Sequence, residues 1–180
     1  MKEAKIFARA GQGAITTAAI LGEALFCQNM YAYAFPHFGA ARMGAPMNAF
    51  LRYDSKPVRQ RSQIYNPDYV IVVDPTLINS QNCFSGIRKG GAAVIAVRED
   101  TKIEQTPKDI KVIKLEAEKI ATEIIGKPFS NTILIGAFAK ISGDIKLESV
   151  LEAVKKRFSG KPEVMEKNLA AVKKGYELAG

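Results

Sequence analysis

The chain has 180 residues, of which 47% are hydrophobic and 24% are charged, and its formal net charge is +8. This length suits one domain with a sizeable core, and the composition is that of a folded globular protein. No apolar run reaches membrane-spanning length, and the N-terminus lacks the apolar region of a signal peptide. We therefore expect a cytoplasmic protein that has no membrane partner.

The predicted elements alternate between strands and helices along the chain. The first predicted elements are a strand over 4–8, a helix over 14–27, and strands over 31–36 and 47–53. Strands over 69–73, 92–97 and 111–115 follow, and then helices over 131–141, over 147–158 and from Pro162 onward. Strands interleaved with helices indicate an α/β fold. We predict a three-layer α/β/α single domain over 1–180, with a mixed, mostly parallel central sheet.

The strand over 47–53 alternates in polarity, with Met47, Ala49 and Leu51 on one face and Asn48, Phe50 and Arg52 on the other. This alternation is typical of a strand that buries only one face. We therefore expect its second face to be partly exposed or covered by another chain.

Two cysteines and one histidine exclude several classes of metalloprotein. Iron–sulfur clusters normally need four thiolates, and structural zinc usually takes four Cys or His ligands. We therefore predict no metal site in this chain. Cys27 and Cys83 have apolar neighbours in the sequence, so we expect both thiols to be buried and unpaired.

Positive charge is concentrated in two regions. The first contains Arg42, Arg52, Lys56, Arg59 and Arg61, with Asp54 as its one acidic residue, and the second runs from Lys155 to Lys174. The second region is typical of a solvated helix face. The first lies in a stretch rich in Gly and Pro, where cations are available to partners. Charge alone leaves nucleic acid, an acidic protein and a phosphorylated ligand open.

A glycine turn, Gly11-Gln12-Gly13, connects the first strand to the first helix. Glycines at this place let the backbone approach a ligand, and the N-terminus of the helix offers free N–H groups to an anion. Neither the Gly-x-Gly-x-x-Gly spacing of a dinucleotide site nor the Lys-Ser/Thr pair of a phosphate-binding loop is present. The residues leave two alternatives open: a tight turn without a ligand, and a phosphate or carbonyl site.

A second motif runs from Phe35 to Pro46 and contains Gly39, Arg42 and Gly44 among small side chains. Arg42 is suited to pair with a phosphate or with a carboxylate of a neighbouring chain. His37 has no acid close in sequence to orient it, so a loop or interface histidine is favoured over a general base. We predict no catalytic residue in this chain.

A third motif, from Arg61 to Leu77, contains a strand of β-branched residues that ends at Asp74. Open α/β sheets bind ligands at the carboxyl ends of their strands, so Asp74 is placed to meet a ligand. The alternative is that Asp74 caps the turn that follows.

Together these segments resemble the gamma subunit of 2-oxoacid:ferredoxin oxidoreductases, and the pyruvate-type branch in particular. The family pattern has a Gly-x-Gly-Gly-Gln-Gly turn into a helix and a Phe/Tyr-Pro-x-Phe/Tyr-Gly-x-x-Arg-x-Gly-Ala-Pro segment. It also has an Arg-Ser-Gln-Ile-Tyr-x-Pro-Asp stretch before a hydrophobic strand that ends in Asp-Pro-Thr-Leu. The chain matches at Gly11-Gln12-Gly13, at 35–46 and at 61–77, and it departs at Ala8 and Ala10, where the family has glycines.

The resemblance implies a subunit of an enzyme that converts pyruvate, coenzyme A and oxidised ferredoxin into acetyl-CoA, CO2 and reduced ferredoxin. It implies alpha, beta and delta subunits as partners in a heterotetramer. Thiamine diphosphate, Mg and iron–sulfur clusters are expected in those partner subunits, and none is expected to be bound by this chain alone. The expected ligand and partner contacts are at Gly11, Gln12, Gly13, Gly39, Arg42 and Gly44, with coenzyme A as one ligand that the resemblance allows.

Two alternatives to this function stay open at the level of sequence. The first is a gamma subunit for another 2-oxoacid, either 2-oxoisovalerate or 2-oxoglutarate. The second is a stand-alone basic module that binds nucleotides or nucleic acid. The second lacks a phosphate lysine, a ribose-binding acid and an aromatic stacking platform. We therefore expect no nucleic-acid partner.

Overall fold

The computed structural model describes residues 1–37 and 42–180, which form six strands and six helices. The strands are β1 (Lys2–Arg9), β2 (Tyr31–His37), β3 (Pro46–Asp54), β4 (Tyr69–Val72), β5 (Ala92–Ala96) and β6 (Lys111–Leu115). The helices are α1 (Ala14–Phe26), α2 (Leu77–Ser80), α3 (Ala117–Ile125), α4 (Asn131–Ser142), α5 (Leu147–Arg157) and α6 (Pro162–Leu178).

One six-stranded sheet organises the chain, in the order β2-β3-β1-β4-β5-β6. β1 pairs in parallel with β4, as do β4 with β5 and β5 with β6, whereas β3 pairs antiparallel with both β1 and β2. β3 therefore runs against the other strands of the described residues. The prediction of a mixed, mostly parallel α/β sheet is confirmed.

The layers on the two faces of the sheet are unequal. One face packs against α1, α3, α4, α5 and α6 and holds the larger core. The other face is covered by the four-residue helix α2 and irregular segments, which bury a smaller core around Val70, Val72 and Ile95. All four residues of β4 are buried, as expected for a central strand.

The expectation of a partly exposed second face of β3 holds at Asn48, which is half-buried, and is wrong at Phe50 and Arg52. Phe50 and Arg52 are each about 99% buried, because the segment over 60–63 covers this face and the neighbouring strands flank it. The buried guanidinium forms an ion pair with Glu3 of β1 at 2.7 Å. Arg52 therefore stabilises the fold and is not available to a partner, although the sequence analysis counted it in the first basic region.

Three further details differ from the predictions. The sequence analysis missed α2, which is too short to show periodicity, and α3, although Ala117, Ile120, Ala121 and Ile124 have helical spacing. Cys27 follows the last residue of α1 and is exposed, so its predicted burial is wrong, whereas Cys83 is buried as expected.

Candidate functional site

The carboxyl ends of β1 and β4 meet where the order of the strands reverses. From β1 the chain crosses to β2 and β3 on one side, and it later builds β4, β5 and β6 on the other. Ligands of open α/β sheets bind outside the carboxyl ends of strands at such a point. The glycine turn follows β1 and Asp74 follows β4, so two of the predicted motifs lie together at this edge.

Four polar side chains close the gap between these strand ends, and we call Arg9, Gln12, Asp74 and Thr76 the strand-end cluster. The Gln12 amide donates to Asp74 Oδ2 at 2.6 Å, and Gln12 Oε1 accepts the backbone N–H of Arg9 at 2.7 Å. The Arg9 guanidinium donates to Thr76 Oγ1 at 2.8 Å and lies 3.4 Å from Asp74 Oδ2. The crevice is therefore filled by the chain's own side chains, and Gln12 supports the turn.

Asp74 is the acceptor at the centre of this cluster and is 3% exposed. The Asp74 Oδ1 atom accepts a hydrogen bond from the backbone N–H of Thr76 at 2.9 Å. Asp74 therefore caps the turn that follows β4, which is the second of the two roles considered for it in the sequence. Burial alone would raise the pKa of the Asp74 carboxyl, but the hydrogen bonds from Thr76 and Gln12 and the charge of Arg9 outweigh burial and lower it.

We expect Asp74→Asn to lower the free energy of unfolding by about 2 kcal/mol at neutral pH, because charge-assisted hydrogen bonds are lost. A lowered folded pKa means that Asp74 contributes its full stabilisation above the unfolded value of about 3.9. That contribution disappears as the pH falls through the folded value. Urea unfolding of both proteins at pH 7 and below pH 3.9 checks this, and a difference that does not narrow in acid would contradict it.

The strand-end cluster also holds residues 42–46 of the second motif in place. Arg9 Nη1 donates to the carbonyl of Gly44 at 3.0 Å. The backbone N–H of Ala10 donates to Ala45 O at 2.9 Å, and the N–H of Gly44 donates to Ala10 O at 3.1 Å. The predicted site residues Gly44 and Gly11–Gly13 are thus brought to one surface. Arg42 lies at the start of this segment and is exposed, and Gly39 lies outside the described residues.

The glycine turn requires glycine for conformational reasons. Gly11 and Gly13 have φ values of 101° and 84°, in the left-handed region that side chains disfavour. A Cβ on Gly13 would lie 3.0 Å from the amide nitrogen of Asn131, and a Cβ on Gly11 would lie 2.7 Å from the sulfur of Met43. The turn is therefore packed against its own chain, and both glycines have a structural role.

An open pocket of about 460 Å³ lies on the helical side of the same turn. Its lining residues come from the turn and the start of α1, from the end of α3 through the start of α4, from Phe158 after α5, and from α6. They include Gly13, Lys127, Asn131 and Lys167. The sequence analysis did not single out Lys127 or Asn131, because both lie far along the chain from the glycine turn. Only the fold brings them together.

His37 ends β2 and is not a loop residue. Its ring nitrogens lie 3.2 and 3.3 Å from the side-chain amide nitrogen of Gln63. The structure shows no carboxylate hydrogen-bonded to this ring among the described residues, and the predicted role as an interface residue stays a prediction.

Within residues 1–37 and 42–180, no group of three or more His, Cys, Asp or Glu side chains is arranged to hold a metal ion. In the same part of the chain, no helix combines the length and the apolar character needed to cross a membrane.

The chain is an α/β protein in which the glycine turn after β1 and Asp74 after β4 meet at one edge of the sheet. The sequence profile described as pyruvate ferredoxin/flavodoxin oxidoreductase matches residues 3–178. The chain belongs to this family, and the resemblance found in its motifs is confirmed.

Individual relatives agree over nearly the whole length. The pyruvate/ketoisovalerate oxidoreductases common subunit gamma of Pyrococcus furiosus is 42% identical over 182 residues, covering 98% of this chain and 96% of that protein. The pyruvate synthase subunit PorC of Methanothermobacter thermautotrophicus is 42% identical over 177 residues, covering 98% and 95%. The crystal structure of the pyruvate oxidoreductase subunit PORC of Thermotoga maritima has a TM-score of 0.84 at 32% identity, covering 98% and 95%.

Proposed function

We propose that this chain is the gamma subunit of a multi-subunit pyruvate:ferredoxin oxidoreductase, with residues 1–180 acting as one gamma-type domain. The enzyme converts pyruvate, coenzyme A and oxidised ferredoxin into acetyl-CoA, CO2 and reduced ferredoxin. The observation that carries the proposal is the 42% identity to a gamma subunit across 98% of this chain and 96% of that relative. The chain completes the assembly and does not turn over substrate alone.

The redox cofactors are assigned to the partner subunits, since the donor set of this chain does not suit them. Burial raises the pKa of the Cys83 thiol to about 12, and its sulfur donates a hydrogen bond to the Leu77 carbonyl at 3.1 Å. A cluster needs thiolates, and this buried thiol resists ionisation. Cys27 lies on the surface after α1. Iron–sulfur clusters therefore belong, in this proposal, to the other subunits, and we assign thiamine diphosphate and Mg to the same subunits by the resemblance to the family.

The partner surface is proposed at the segment over 42–46 and the glycine turn beside it. The strand-end cluster fixes this segment to β1, so the exposed side chains of Arg42 and Met43 project from a supported backbone. A fixed surface loses less conformational entropy when it binds. We assign this surface to alpha, beta or delta subunits and to the approach of coenzyme A, with ferredoxin as the electron acceptor of the whole complex.

The oxoacid is proposed to be selected by the other subunits. The Pyrococcus furiosus relative is named as a subunit common to pyruvate and ketoisovalerate oxidoreductases. A subunit shared by two such enzymes does not by itself distinguish their substrates. Pyruvate is our first assignment, because the Methanothermobacter thermautotrophicus relative is named for pyruvate synthase.

Affinity purification of the tagged chain from native extract tests the assembly. We expect cysteine-rich partner chains that contain iron to co-purify in equal amounts with this chain. Recovery of the chain alone, or with nucleic acid in place of protein partners, would refute the proposal.

We expect Arg42→Ala to weaken subunit association or the apparent affinity for coenzyme A by roughly ten- to a hundredfold, the effect of losing one charge-assisted bond. Arg42 is exposed, so the thermal melting of the isolated chain should not change. The exposed Arg157 of α5 supplies a matched control, and Arg157→Ala should leave both measurements unchanged. Unaltered subunit recovery and kinetics in the Arg42 variant would remove Arg42 from the proposed surface.

A further inference from the structure

The segment over 55–63 follows β3 and has no regular secondary structure, yet it is tied to the sheet. Arg52 of β3 donates to the carbonyl of Gln60 at 3.4 Å, to that of Ser62 at 2.5 Å and to that of Gln63 at 3.2 Å. Because one buried guanidinium holds three carbonyls, the backbone of this segment is fixed in place although it forms no strand.

Three cationic side chains project from the 55–63 segment, and these are Lys56, Arg59 and Arg61. All three are exposed, and none of them forms an ion pair among the described residues. Asp54, which precedes the segment, is already paired with the N-terminal amine at 2.6 Å. By contrast, the exposed Arg98 has a carboxylate partner at 2.7 Å. The 55–63 segment therefore presents positive charge that the described part of the chain does not neutralise.

Arg61 is oriented in advance by two contacts. Its guanidinium carbon lies 3.9 Å from the centroid of the Tyr33 ring, and its Nη1 donates to the carbonyl of Val58 at 2.8 Å. Its Nε and Nη2 donate to no group in the part of the chain that the structure describes. These two nitrogens form an edge that binds a carboxylate through two parallel hydrogen bonds. A side chain that is already fixed loses less conformational entropy on binding.

The neighbouring aromatic rings favour a protein carboxylate over nucleic acid. Proteins that bind single strands stack bases on free aromatic faces. The Tyr33 ring is instead stacked with Arg61 and with Phe35, whose ring centroid lies 4.9 Å away. Binding to a duplex commonly uses about six to ten phosphate contacts, more than three cations supply. Tyr65, shortly after the segment, is 71% exposed, and tyrosine and arginine are the side chains enriched at protein interfaces.

We propose that the 55–63 segment binds an acidic patch on a partner protein, whose carboxylates pair with Arg59 and Arg61. The partner is another subunit of the same enzyme, so this inference rests on the proposed function. The net charge of +8 favours an acidic partner over a second copy of this chain, because two copies repel each other.

This surface differs from the one assigned to the segment over 42–46. It lies on the face of the sheet opposite the larger core, where it covers Arg52. The two surfaces adjoin, because the side-chain amide nitrogen of Gln63 lies 3.2 Å from the ring of His37, which belongs to the same motif as 42–46. One partner subunit can therefore contact both.

Equilibrium binding of the purified chain to the assembled alpha, beta and delta subunits tests this proposal. Arg59→Glu/Arg61→Glu replaces two cations with anions, and we expect the dissociation constant to rise at least about a hundredfold, because like charges then face each other. Lys173→Glu/Lys174→Glu, at exposed positions of α6, changes the net charge by the same amount and should leave the constant nearly unchanged. Raising NaCl from about 0.1 to about 0.5 M should weaken binding of the wild type more than binding of the Arg59/Arg61 variant.

A second pair of variants separates binding from folding. Arg59 forms no side-chain hydrogen bond among the described residues, so Arg59→Glu alone should melt as the wild type does and still bind at least about tenfold more weakly. Arg61→Lys keeps the charge but loses the two parallel hydrogen bonds, and it should weaken binding by roughly tenfold.

The outcomes distinguish this inference from the proposed function. A wild-type chain that does not bind the other subunits would refute both. Normal binding by Arg59→Glu/Arg61→Glu, or equal weakening by the α6 control, would overturn this inference and leave the assembly intact. Binding of a short DNA duplex by the wild type, abolished in the Arg59/Arg61 variant while subunit binding is retained, would assign the segment to nucleic acid and overturn it as well.

Discussion

Gly136→Ala is expected to lower the free energy of unfolding by about 3 kcal/mol or more, because it would force two packed helices apart. A Cβ on Gly136 of α4 would lie 1.9 Å from the carbonyl oxygen of Val172 in α6. A Cβ on Gly175 of α6 would lie 1.9 Å from the carbonyl oxygen of Ile133 in α4. Since backbone atoms of both helices are involved, a change of rotamer cannot relieve either clash.

Urea unfolding of Gly136→Ala beside Gly160→Ala measures this effect. Gly160 lies outside the helices, and a Cβ there would meet no atom of the described residues within 4 Å. We expect the control to stay within about 0.5 kcal/mol of the wild type. Equal stability of the two variants would show that α4 and α6 do not cross as closely as the structure has them.

Arg52→Gln is expected to lower the free energy of unfolding by about 3–5 kcal/mol, the usual cost of removing one partner from a buried ion pair. The guanidinium is 1% exposed and pairs with Glu3 at 2.7 Å. It also donates to the carbonyls of Ser62 and Gln63, which anchors the covering segment to β3. Glutamine would leave Glu3 with Arg88 as its remaining cation among the described residues, and it would leave these carbonyls short of donors.

The matched control is Arg98→Gln. Arg98 pairs with Glu118 at the same distance, 2.7 Å, but its side chain is 46% exposed. Exposed pairs contribute about 0–1 kcal/mol, so the control should be several times milder. Similar losses of stability in the two variants would show that burial does not decide the strength of the Arg52 pair.

Strands and helices could be predicted from the sequence where the local pattern of apolar residues indicates which residues are buried. β4 consists of consecutive apolar residues and is buried on both faces, as this pattern indicates. β3 was misread because Arg52 looked like an exposed cation in an alternating strand. Its partner Glu3 lies 49 positions away, and no local pattern shows that pairing.

The candidate site was predictable only in part, for a similar reason. The turn at Gly11–Gly13 was recognisable from its glycines, and both have the positive φ that glycine allows. Its supporting partners are distant in sequence: Gln12 reaches Asp74 across 62 positions. Asn131 had no distinguishing neighbours in the sequence, and only the packing of α4 against the turn brings its side chain beside Gly13.

Reconstitution of pyruvate-dependent ferredoxin reduction tests the central claim most directly. The assay combines this chain with the alpha, beta and delta subunits, pyruvate and coenzyme A, and it is repeated with each component left out. We predict that the isolated chain is colourless and inactive, that the mixture without it loses activity, and that adding the chain back restores turnover. Turnover by the chain alone, stoichiometric iron bound to it, or full activity in its absence would contradict the account.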